Sequence, residues 1–548
     1  MTIHRITRTW TPPADRVAHF REAGFWRDAS VAGSLLRAAD RFGERPVVRD
    51  GETTLTFSSL ADQAMRVAAW LRGHGLQAGE AVLFQLPNWH EAAVIFHGIQ
   101  LAGGVVVPVT PILRRREVGF LLGQTQARFA FVSQRFRSYD YRDLYHELSQ
   151  ETGLEHVVWV RAADPADATG LAQVLDTPQP EREEVETWGG RGDDVALVIY
   201  TSGTTSDPKG AIHTHDGVLA STRMVGEFFG LNENDVLFCP TPVTHITGIS
   251  MTFLFPVAYG CPVTIQAVWS PEEAFDLIRR DRTTFMIFAT PFLKALTEIA
   301  VARGVDLDHI RTIACGGADV PEALARQATA RLGEVVRMYG ATEAPNVSCG
   351  SPWDPTDKQW GTEGRWLFPT QGRVVDPETG EDLPSGTVGE AWWQAPQMLA
   401  GYLDRALNHS NFTQDGYFRT GDLVVVDDEG YVTFSGRLKD IINRGGEKIS
   451  AKEIEDLIVV LPQVDEVAVT PMSDDALGER VCAWVIPRSE AQLTLAEVTE
   501  HLLTYGLAKQ KLPERLEIAA DFPRTPSGKV RKQELRGRVD ATLLRQAT

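Results

Sequence analysis

A chain of 548 residues is longer than one hydrophobic core usually supports, so its length predicts two or more domains. Hydrophobic residues make up 43% and charged residues 23% of the chain, proportions typical of a globular protein. The net charge of −19 argues against a broad surface for nucleic acid or anionic membrane, because either needs a contiguous basic face.

The cysteines and the apolar segments indicate the compartment. The five cysteines lie far apart without a C-x-x-C pair, which predicts reduced, mostly buried thiols in a cytoplasmic protein and argues against a zinc site. The first residues lack the apolar core of a signal peptide. The most apolar stretch, residues 248–268, is interrupted by Pro256, Gly260 and Pro262. It predicts a buried helix followed by a strand, and no integral membrane segment.

Helical and strand-like patterns alternate through the first part of the chain. The first helix carries a capping signal at Ser59 and Asp62 and a stop signal at Gly73 and Gly75. Residues 161–192 are rich in Asp, Glu, Pro and Gly, and they predict a surface connection. The alternation predicts βαβ units and a mostly parallel sheet covered on both faces. The predicted elements are helix 57–71, strand 81–86, helix 91–101 and strand 105–108.

The alternation continues and then changes character after Gly430. We predict a large N-terminal domain, residues 1–436, of parallel and mixed sheets layered with helices, and a small α+β domain, residues 437–548. The boundary is placed at the charged turn 436–440. The later elements are strands 236–239, 262–265 and 285–288, helices 272–280 and 321–331, strand 431–434, helix 452–461, strands 466–470 and 480–486, and helix 495–503.

The loop from Tyr200 to Gly210 follows the apolar run 195–199 and is made almost entirely of small residues. Its hydroxyl and amide groups form a cradle suited to phosphate oxygens, with Lys209 as a point charge beside it. Five residues separate Gly203 from Lys209 and a proline precedes the lysine, so the Walker pattern does not fit. A polar surface loop is the alternative interpretation.

Three further segments follow strand-like runs and carry residues suited to a nucleotide. His245 stands alone in its segment, and a lone histidine is more often structural than catalytic. Residues 316–318 are small enough to let a flat ring lie against the backbone. Tyr339 is suited to stacking on a base, and Glu343 to holding a magnesium ion that bridges phosphates.

Three charged residues in the later part of the chain complete the candidates. Asp422 is suited to accepting ribose hydroxyls and Arg437 to reaching a phosphate or ribose, with a salt bridge in a turn as the alternative. Lys529 lies in a constrained Pro-Ser-Gly-Lys loop from which it can enter a distant site, with an ordinary surface lysine as the alternative.

Five motifs occur in an order and spacing that resemble the adenylate-forming superfamily. They are Tyr-Thr-Ser-Gly-Thr-Thr-Ser-Asp-Pro-Lys-Gly, Tyr-Gly-Ala-Thr-Glu, Arg-Thr-Gly-Asp, Gly-Arg-Leu-Lys-Asp and Pro-Ser-Gly-Lys. That superfamily contains acyl-CoA synthetases, aryl-acid ligases, peptide-synthetase adenylation domains and luciferase. The resemblance implies a two-step reaction, in which a carboxylate attacks the α-phosphate of MgATP and a thiol, usually that of CoA, then cleaves the acyl adenylate.

The resemblance also implies a role for each matching residue. Thr342 would hold the α-phosphate, Glu343 the magnesium ion, and Lys529 both the attacking carboxylate and the phosphate. Lys439 would be the hinge of a mobile C-terminal domain, and His245 would line the acyl pocket and gate the thiol tunnel. The remaining residues would bind cofactors: Thr201, Ser202, Gly203, Thr204, Thr205 and Lys209 the β- and γ-phosphates; Gly316, Gly317, Ala318, Tyr339 and Gly340 the adenine and its surroundings; Asp422 and Arg437 the ribose; Gly445 and Gly446 the pantetheine tunnel.

The acyl pocket is expected between residues 245–249, 316–318 and 340–341, where small and apolar residues favour an apolar acid. Ile246 stands where siderophore aryl-acid ligases have an asparagine that reads a ring hydroxyl, which argues against a 2-hydroxybenzoate. The runs 24–28 and 445–450 nevertheless resemble that branch, whereas the run 111–117 resembles ligases of the cyclohexanecarboxylate type. We therefore expect an alicyclic, terpenoid-like or medium-chain acid and CoA.

Three alternatives remain at this point, and one departure from the family pattern bears on the activity. The alternatives are an enzyme that loads a carrier-protein phosphopantetheine, a variant specialised in one half-reaction, and a homologue that only binds nucleotide. Ser206 occupies a position where the family motif most often has glycine, so we predict reduced adenylation. The sequence is compatible with a homodimer and does not fix the oligomeric state.

Overall fold

The computed structural model of the protein describes residues 4–162, 169–201, 208–474, 476–488, 492–525 and 529–547. The chain forms two compact units. Unit 1 is Met1–Gln371 with Gln394–Phe418, and unit 2 is Gly372–Trp393 with Arg419–Thr548.

Unit 1 contains the first seventeen strands and sixteen helices. Its strands are β1 (Pro46–Asp50), β2 (Thr53–Thr56), β3 (Ala81–Gln85), β4 (Val105–Pro108), β5 (Phe129–Ser133), β6 (Arg135–Phe136), β7 (Tyr139–Asp140), β8 (His156–Val160), β9 (Val195–Thr201), β10 (Lys209–Thr214), β11 (Leu237–Cys239), β12 (Val263–Ile265), β13 (Phe285–Phe288), β14 (Thr312–Gly316), β15 (Val335–Ala341), β16 (Ala344–Cys349) and β17 (Arg365–Trp366). Its helices are α1 (Ala14–Glu22), α2 (Val31–Phe42), α3 (Phe57–Gly73), α4 (His90–Leu101), α5 (Arg115–Thr125), α6 (Arg142–Glu151), α7 (Leu171–Leu175), α8 (Arg182–Trp188), α9 (His215–Phe228), α10 (Ile246–Ile249), α11 (Phe255–Tyr259), α12 (Pro271–Asp281), α13 (Thr290–Arg303), α14 (Glu322–Leu332), α15 (Thr356–Gly361) and α16 (Ala406–Asn411).

Two large sheets organise unit 1. One has the strand order β10-β9-β4-β3-β5-β8, and the other has the order β17-β16-β15-β14-β13-β11-β12-β1-β2. In the first sheet, strands β9, β4, β3, β5 and β8 are parallel, and β10 is antiparallel to β9. In the second, β15, β14, β13, β11, β12 and β1 are parallel. The predicted parallel and mixed α/β architecture is therefore confirmed.

Both faces of the first sheet are covered, as predicted. Val82 and Phe84 of β3 belong to the same core as α3 and α4, whereas Leu83 belongs to the core on the opposite face with α5 and α6. Helix α4 is buried along nearly its whole length, which is why its sequence is apolar on all sides. Since successive side chains of a strand point to opposite faces, these parallel strands are apolar throughout.

Two local predictions need correction. Helix α3 begins at Phe57, as predicted, but Thr56 caps it in place of Ser59. Thr56 Oγ1 accepts a hydrogen bond from the Ser59 backbone amide at 3.1 Å, and Ser59 Oγ accepts one from the Thr56 amide at 2.9 Å. Asp62 therefore has no part in the cap. Residues 161–192 are more than a connection, because they contain α7 and α8, whose residues Leu171, Val174 and Val185 are buried.

The apolar stretch 248–268 forms a buried helix followed by β12, as predicted. A π-helical turn, Ser250–Leu254, separates α10 from α11 immediately before Pro256. Because proline has no N–H, the carbonyl of Thr252 has no α-helical partner, and the helix widens at this turn. All five cysteines are buried free thiols, in agreement with their predicted state.

Unit 2 contains the remaining elements: β18 (Gln371–Val375), β19 (Gly389–Gln394), β20 (Phe418–Val426), β21 (Val432–Arg437), β22 (Ile441–Arg444), β23 (Glu447–Ser450), α17 (Ala451–Ile458), β24 (Val464–Asp474), β25 (Gly478–Pro487), α18 (Leu495–Thr504), β26 (Arg515–Ile518) and α19 (Lys532–Ala547). Strands β18 to β21 form one sheet, and β22 to β26 form another. The boundary predicted after residue 436 lies inside unit 2, at the end of β21. The hinge predicted near Lys439 stays a prediction.

Candidate active site

The loop between Tyr200 and Gly210 is closed by an antiparallel pair of strands. Thr201, the last residue of β9, pairs with Lys209, the first residue of β10. The predicted phosphate-binding residues Ser202, Gly203, Thr204 and Thr205, together with Ser206, lie outside the described residues. The structure therefore fixes the two ends of the candidate phosphate loop.

A short extended segment, residues 399–403, connects the start of β10 to Glu343. The amide of Leu403 donates to the carbonyl of Gly210 at 2.9 Å, and the amide of Ile212 donates to the carbonyl of Gly401 at 2.9 Å. The amide of Leu399 donates to the carbonyl of Glu343 at 2.7 Å. The phosphate-loop hairpin and the Tyr-Gly-Ala-Thr-Glu motif are thus joined through one segment that the sequence did not single out.

The Tyr-Gly-Ala-Thr-Glu motif follows an irregularity in the pairing of β15 with β16. The register shifts between Tyr339 and Ala341, and a Cβ on Gly340 would lie 2.4 Å from the amide nitrogen of Asn346. Only glycine fits this position, because a side chain would collide with backbone. The shift carries Thr342 and Glu343 beyond the regular ladder, next to β10.

Glu343 accepts a hydrogen bond through Oε1 from the hydroxyl of Tyr402 at 2.8 Å. The Nζ atom of Lys209 lies 5.9 Å from the centroid of the Tyr402 ring. Burial raises the pKa of Tyr402, and the neighbouring charge of Glu343 raises it further, so the hydroxyl stays protonated. The carboxylate of Glu343 is partly buried. Proteins usually bind Mg²⁺ through one or two carboxylates, and phosphate oxygens and water molecules complete the coordination. Glu343 therefore fits the metal role implied for it.

Behind this cluster lies His213 of β10. Burial lowers the pKa of His213 to about 4, opposed by a hydrogen bond to the backbone of Thr342. The neutral imidazole of His213 thus connects β10 to Thr342, the residue that follows β15. The contact brings Thr342 to the β10 side of the cluster.

The residues predicted to contact a flat ring lie at the end of β14. A Cβ on Gly316 would lie 2.3 Å from the carbonyl oxygen of Met338, so glycine is required for the close pairing of β14 with β15. Gly317 has φ +78° and no atom within 4 Å of the position of a Cβ. Its backbone therefore borders open space, and Tyr339 lies near the C-terminal end of the neighbouring strand β15.

His245 follows β11, a parallel strand of the same sheet, and caps α10. Its Nδ1 atom accepts a hydrogen bond from the amide of Thr247 at 3.3 Å. A Cβ on Gly248 would lie 2.0 Å from the carbonyl oxygen of Pro242, so this turn tolerates only glycine. Because the carboxyl ends of parallel strands share one edge, His245 lies on the same side of the sheet as residues 316–318 and 339–343.

The other predicted site residues belong to unit 2. Oδ1 of Asp422 lies 3.1 Å from Nε of Arg437, so the salt bridge considered as an alternative does form. Lys439 lies in the short turn Leu438–Asp440. Gly445 and Gly446, with φ +59° and +96°, make the two-residue turn between β22 and β23, where positive φ at both positions favours glycine.

Lys529 closes the Pro-Ser-Gly-Lys loop, whose residues 526–528 lie outside the described ranges. The Lys529 amide donates to Thr525 Oγ1 at 3.1 Å, and its carbonyl accepts from the Thr525 amide at 2.8 Å. Two backbone hydrogen bonds therefore hold the lysine at a fixed position in unit 2, independently of its ammonium group.

The sequence analysis missed Tyr402, His213 and Asn408. Asn408 accepts from the amide of Tyr402 at 2.9 Å and donates to Thr9, whose hydroxyl in turn donates to the Tyr402 carbonyl at 2.7 Å. No spacing rule connects residues 399 positions apart, so this network has no signal in the sequence. The Gly401-Tyr402 dipeptide after an apolar run was the one feature that could have drawn attention.

Comparison with known proteins agrees with the fold and with these motifs. The sequence model of the AMP-binding enzyme family matches residues 35–403. The sequence model of the AMP-binding enzyme C-terminal domain matches residues 453–529. The chain is 33% identical over 537 residues to the medium-chain fatty-acid–CoA ligase of Escherichia coli K12, covering 97% of this chain and 94% of that protein.

Two further comparisons extend over nearly the whole chain. Identity to the 2,3-dihydroxybenzoate–AMP ligase of Bacillus subtilis 168 is 29% over 544 residues, 98% of this chain and 99% of that protein. The crystal structure of ATP-bound MatB from Rhodopseudomonas palustris matches with a TM-score of 0.82 and 26% identity, covering 93% of this chain and 99% of that one.

The fold and the site define an adenylate-forming ligase. The chain belongs to the AMP-binding enzyme family, in the branch that includes acyl-CoA ligases, and it uses ATP. The resemblance noted in the sequence is thereby confirmed. None of the helices in the described ranges combines the length and the hydropathy that crossing a bilayer requires.

Proposed function

We propose that the protein is an ATP-dependent acyl-CoA ligase for an apolar carboxylic acid of the alicyclic, terpenoid-like or medium-chain class. In the first step a carboxylate oxygen of the acid bonds to the α-phosphorus of ATP, and the bond to the bridging oxygen breaks, which releases pyrophosphate. In the second step the sulfur of CoA bonds to the acyl carbon, and the bond to the AMP oxygen breaks. The products are the thioester, AMP and pyrophosphate.

The observation that carries the proposal is the cluster of Lys209, Tyr402 and Glu343. The ammonium group of Lys209 and the carboxylate of Glu343 both contact the side chain of Tyr402. We infer that one polyphosphate can reach both charged groups. Lys209 suits the β- and γ-phosphates as a point charge, and Thr342 suits the α-phosphate through its hydroxyl. A magnesium ion held by Glu343 would neutralise charge that develops on the phosphate oxygens.

Adenine fits the edge formed by Gly317 and Tyr339. The open space beside Gly317 admits a flat ring against backbone, and Tyr339 supplies an aromatic face on the neighbouring strand. In unit 2, Asp422 and Arg437 are proposed to hold the ribose. Lys529 is proposed to join the attacking carboxylate to the α-phosphate in one orientation of the C-terminal domain, residues 437–548, and Lys439 to be the residue about which that domain turns.

An apolar acid is supported by the residues that follow His245. Ile246 is 5% exposed and Ile249 is fully buried, so the helix beyond the gate is apolar and closely packed. An isoleucine side chain cannot donate to or accept from a ring hydroxyl, which disfavours 2-hydroxybenzoates. CoA as the thiol is supported by the extended similarity to a medium-chain fatty-acid–CoA ligase.

A second candidate is an enzyme that transfers the acyl group to a carrier-protein phosphopantetheine. The similarity over the full chain to a 2,3-dihydroxybenzoate–AMP ligase favours considering it. Both candidates share the adenylation step and differ in the thiol that receives the acyl group. Gly445 and Gly446 would border the pantetheine arm in either.

The test is a panel of cyclohexanecarboxylate, monoterpenoid acids, fatty acids of six to twelve carbons and salicylate, each incubated with MgATP and the protein. Mass spectrometry then follows the acyl adenylate without a thiol, the thioester with CoA, and the mass gain of a phosphopantetheinyl carrier protein. We expect adenylate and CoA thioester with at least one apolar acid, and neither with salicylate.

A mass gain on the carrier without a thioester on free CoA would select the second candidate. Adenylate formation with salicylate alone would overturn the proposed acid class. Absence of pyrophosphate release with every acid would overturn the catalytic function and leave a protein that only binds nucleotide. Light scattering of the purified protein determines whether it is a homodimer.

A further inference from the structure

Tyr402 contacts both groups to which the proposed function gives a polyphosphate role, and the inference below rests on that function. Its side chain is buried, with 2% of the residue exposed. Its hydroxyl donates to Glu343 Oε1 at 2.8 Å, and its ring lies 5.9 Å from Nζ of Lys209. Lys209 begins β10 and Glu343 follows β15, and these two strands belong to different sheets. The side chain of Tyr402 therefore links two segments that the sheet topology leaves separate.

The backbone of Tyr402 is held on both sides. Its amide donates to Asn408 Oδ1 at 2.9 Å, and its carbonyl accepts from Thr9 Oγ1 at 2.7 Å. It also pairs with Ala211 across an isolated antiparallel bridge to β10. A Cβ on the preceding Gly401 would lie 2.1 Å from Thr9 Oγ1, so the segment packs closely against the N-terminal part of the chain. The side chain of Tyr402 is therefore presented from a rigid support.

We propose that Tyr402 is a positioning residue, which fixes the carboxylate of Glu343 in the orientation that receives the divalent cation of the metal–ATP complex. Tyr402 acts through Glu343 and does not itself touch the cation. Its hydroxyl uses one carboxylate oxygen, Oε1, and thereby restricts rotation of the carboxylate group. Outer partners of this kind are known to orient metal ligands and to tune their affinity.

The chemistry of the contact supports this role. The hydrogen bond of a neutral hydroxyl to a carboxylate stabilises the ionised carboxylate, which is the form that binds a cation. The ring face attracts the ammonium group of Lys209, and this holds the cation near the carboxylate without a direct ion pair.

The test is the Tyr402→Phe substitution, which keeps the ring beside Lys209 and removes only the hydroxyl. Binding of Mn²⁺ is measured by electron paramagnetic resonance in the presence of saturating α,β-methylene-ATP, which no turnover consumes. We expect the dissociation constant of Mn²⁺ to rise about tenfold, the lower end of the range for loss of an outer partner. Affinity for the nucleotide in EDTA should remain unchanged.

The matched control is Tyr145→Phe. Tyr145 is also a buried tyrosine of unit 1, and its hydroxyl donates to Gln85 Oε1 at 3.0 Å, an amide oxygen with no part in the proposed site. It should lower the thermal midpoint about as much as Tyr402→Phe, since each loses one buried hydrogen bond, and it should leave the Mn²⁺ dissociation constant unchanged.

A double-mutant cycle with Glu343→Gln separates positioning from packing. If Tyr402 acts through the carboxylate, Tyr402→Phe should not weaken Mn²⁺ binding further once Glu343 is glutamine. An equal effect in both backgrounds, or unchanged Mn²⁺ affinity in the single variant, would overturn the proposal and leave the ligase function intact. A wild-type protein that binds no Mn²⁺–nucleotide complex would overturn both.

Discussion

Oδ1 of Asp422 lies 3.1 Å from Nε of Arg437, across the antiparallel pair formed by β20 and β21. The two residues are directly opposite each other, and the amide of Asp422 is held by Thr420 Oγ1 at 2.9 Å. The guanidinium holds the carboxylate in a fixed orientation. The role of the two residues at the ribose stays a prediction, and it depends on this pair.

This arrangement predicts the result of Asp422→Asn. The amide cannot accept two hydrogen bonds as strongly as a carboxylate, and charge-assisted bonds contribute roughly 1.5–3 kcal/mol each. We expect the KM for ATP in ATP–pyrophosphate exchange to rise about 10- to 100-fold, which corresponds to one such bond.

The control for that prediction is a change of substrate. The wild type should discriminate against 2′-deoxy-ATP, and Asp422→Asn should use ATP and 2′-deoxy-ATP almost equally well. If the variant still prefers ATP by the wild-type factor, Asp422 does not contact the ribose, and its pairing with Arg437 serves the stability of unit 2.

Gly317 and Gly304 provide a matched pair for the adenine site. Both have positive φ, +78° and +60°, and neither has an atom within 4 Å of the position of a Cβ. An alanine at either position therefore costs the same kind of backbone strain, about 1–2 kcal/mol. Only at Gly317 would the added methyl group occupy the space proposed for adenine.

We expect both Gly317→Ala and Gly304→Ala to lower the free energy of unfolding by about 1–2 kcal/mol. Isothermal titration with ATP should show at least tenfold weaker binding for Gly317→Ala and unchanged binding for Gly304→Ala. Equal ATP affinity in the two variants would place the adenine elsewhere.

Lys529 is expected to act in one half-reaction alone. Because the backbone of Lys529 makes its hydrogen bonds to Thr525 without its side chain, Lys529→Ala should remove the ammonium group and keep the fold. We expect the rate of pyrophosphate release to fall by a factor of 100 or more, about the effect of one positioned cation on a developing charge. Thioester formation from a synthetic acyl adenylate should keep its wild-type rate.

The control is Lys509→Ala, which removes an exposed lysine from the same unit. It should leave both half-reactions unchanged. Equal losses in the two half-reactions of Lys529→Ala would contradict the proposed role, because that pattern indicates a general defect of unit 2.

Ser206 is predicted to limit adenylation. If the phosphate loop needs a left-handed backbone at this position, replacing serine with glycine removes roughly 1 kcal/mol of strain. We expect Ser206→Gly to raise the rate of ATP–pyrophosphate exchange about fivefold, with thioester formation from a synthetic adenylate unchanged. An exchange rate that is unaffected by the substitution would show that serine is fully compatible with the loop.

Buried histidines predict acid sensitivity of unit 1. Burial lowers the pKa of His97 to about 3 and those of His213 and His215 to about 4, below the value of roughly 6.5 for an exposed histidine. Between these values the unfolded chain binds protons that the folded chain does not. The stabilisation is therefore complete above pH 6.5 and is lost as the pH falls towards 4, by about 1.4 kcal/mol per pH unit for each histidine.

Urea denaturation between pH 7 and pH 4 measures this slope. His97→Met replaces a histidine packed against Phe96 and Phe253 with an apolar side chain, and we expect it to reduce the slope by about one histidine's share. The exposed His146→Met should leave the slope unchanged. An identical slope in His97→Met and the wild type would show that other groups govern the acid sensitivity.

Several parts of the fold were predictable because their causes are local. Apolar runs and helical periodicity gave β3, α4 and β4 almost to the residue, since each is buried on both sides and its pattern is complete within a few residues. The cap of α3 was misplaced because Ser59 can serve either as the cap or as its reciprocal partner. Only the pairing with Thr56 distinguishes the two.

The sequence by itself determined the family, the order of the motifs and the residue types that a nucleotide requires at Lys209, Glu343 and Lys529. It could do so because binding phosphate and metal restricts the residue types at a few positions, and these positions form short motifs that can be recognised in the sequence. Only the tertiary structure decided which residues support them. Thr9 contacts Tyr402, and Tyr402 contacts Glu343 and β10. These contacts join distant segments of the chain, and packing of that kind has no periodicity or spacing from which it can be predicted.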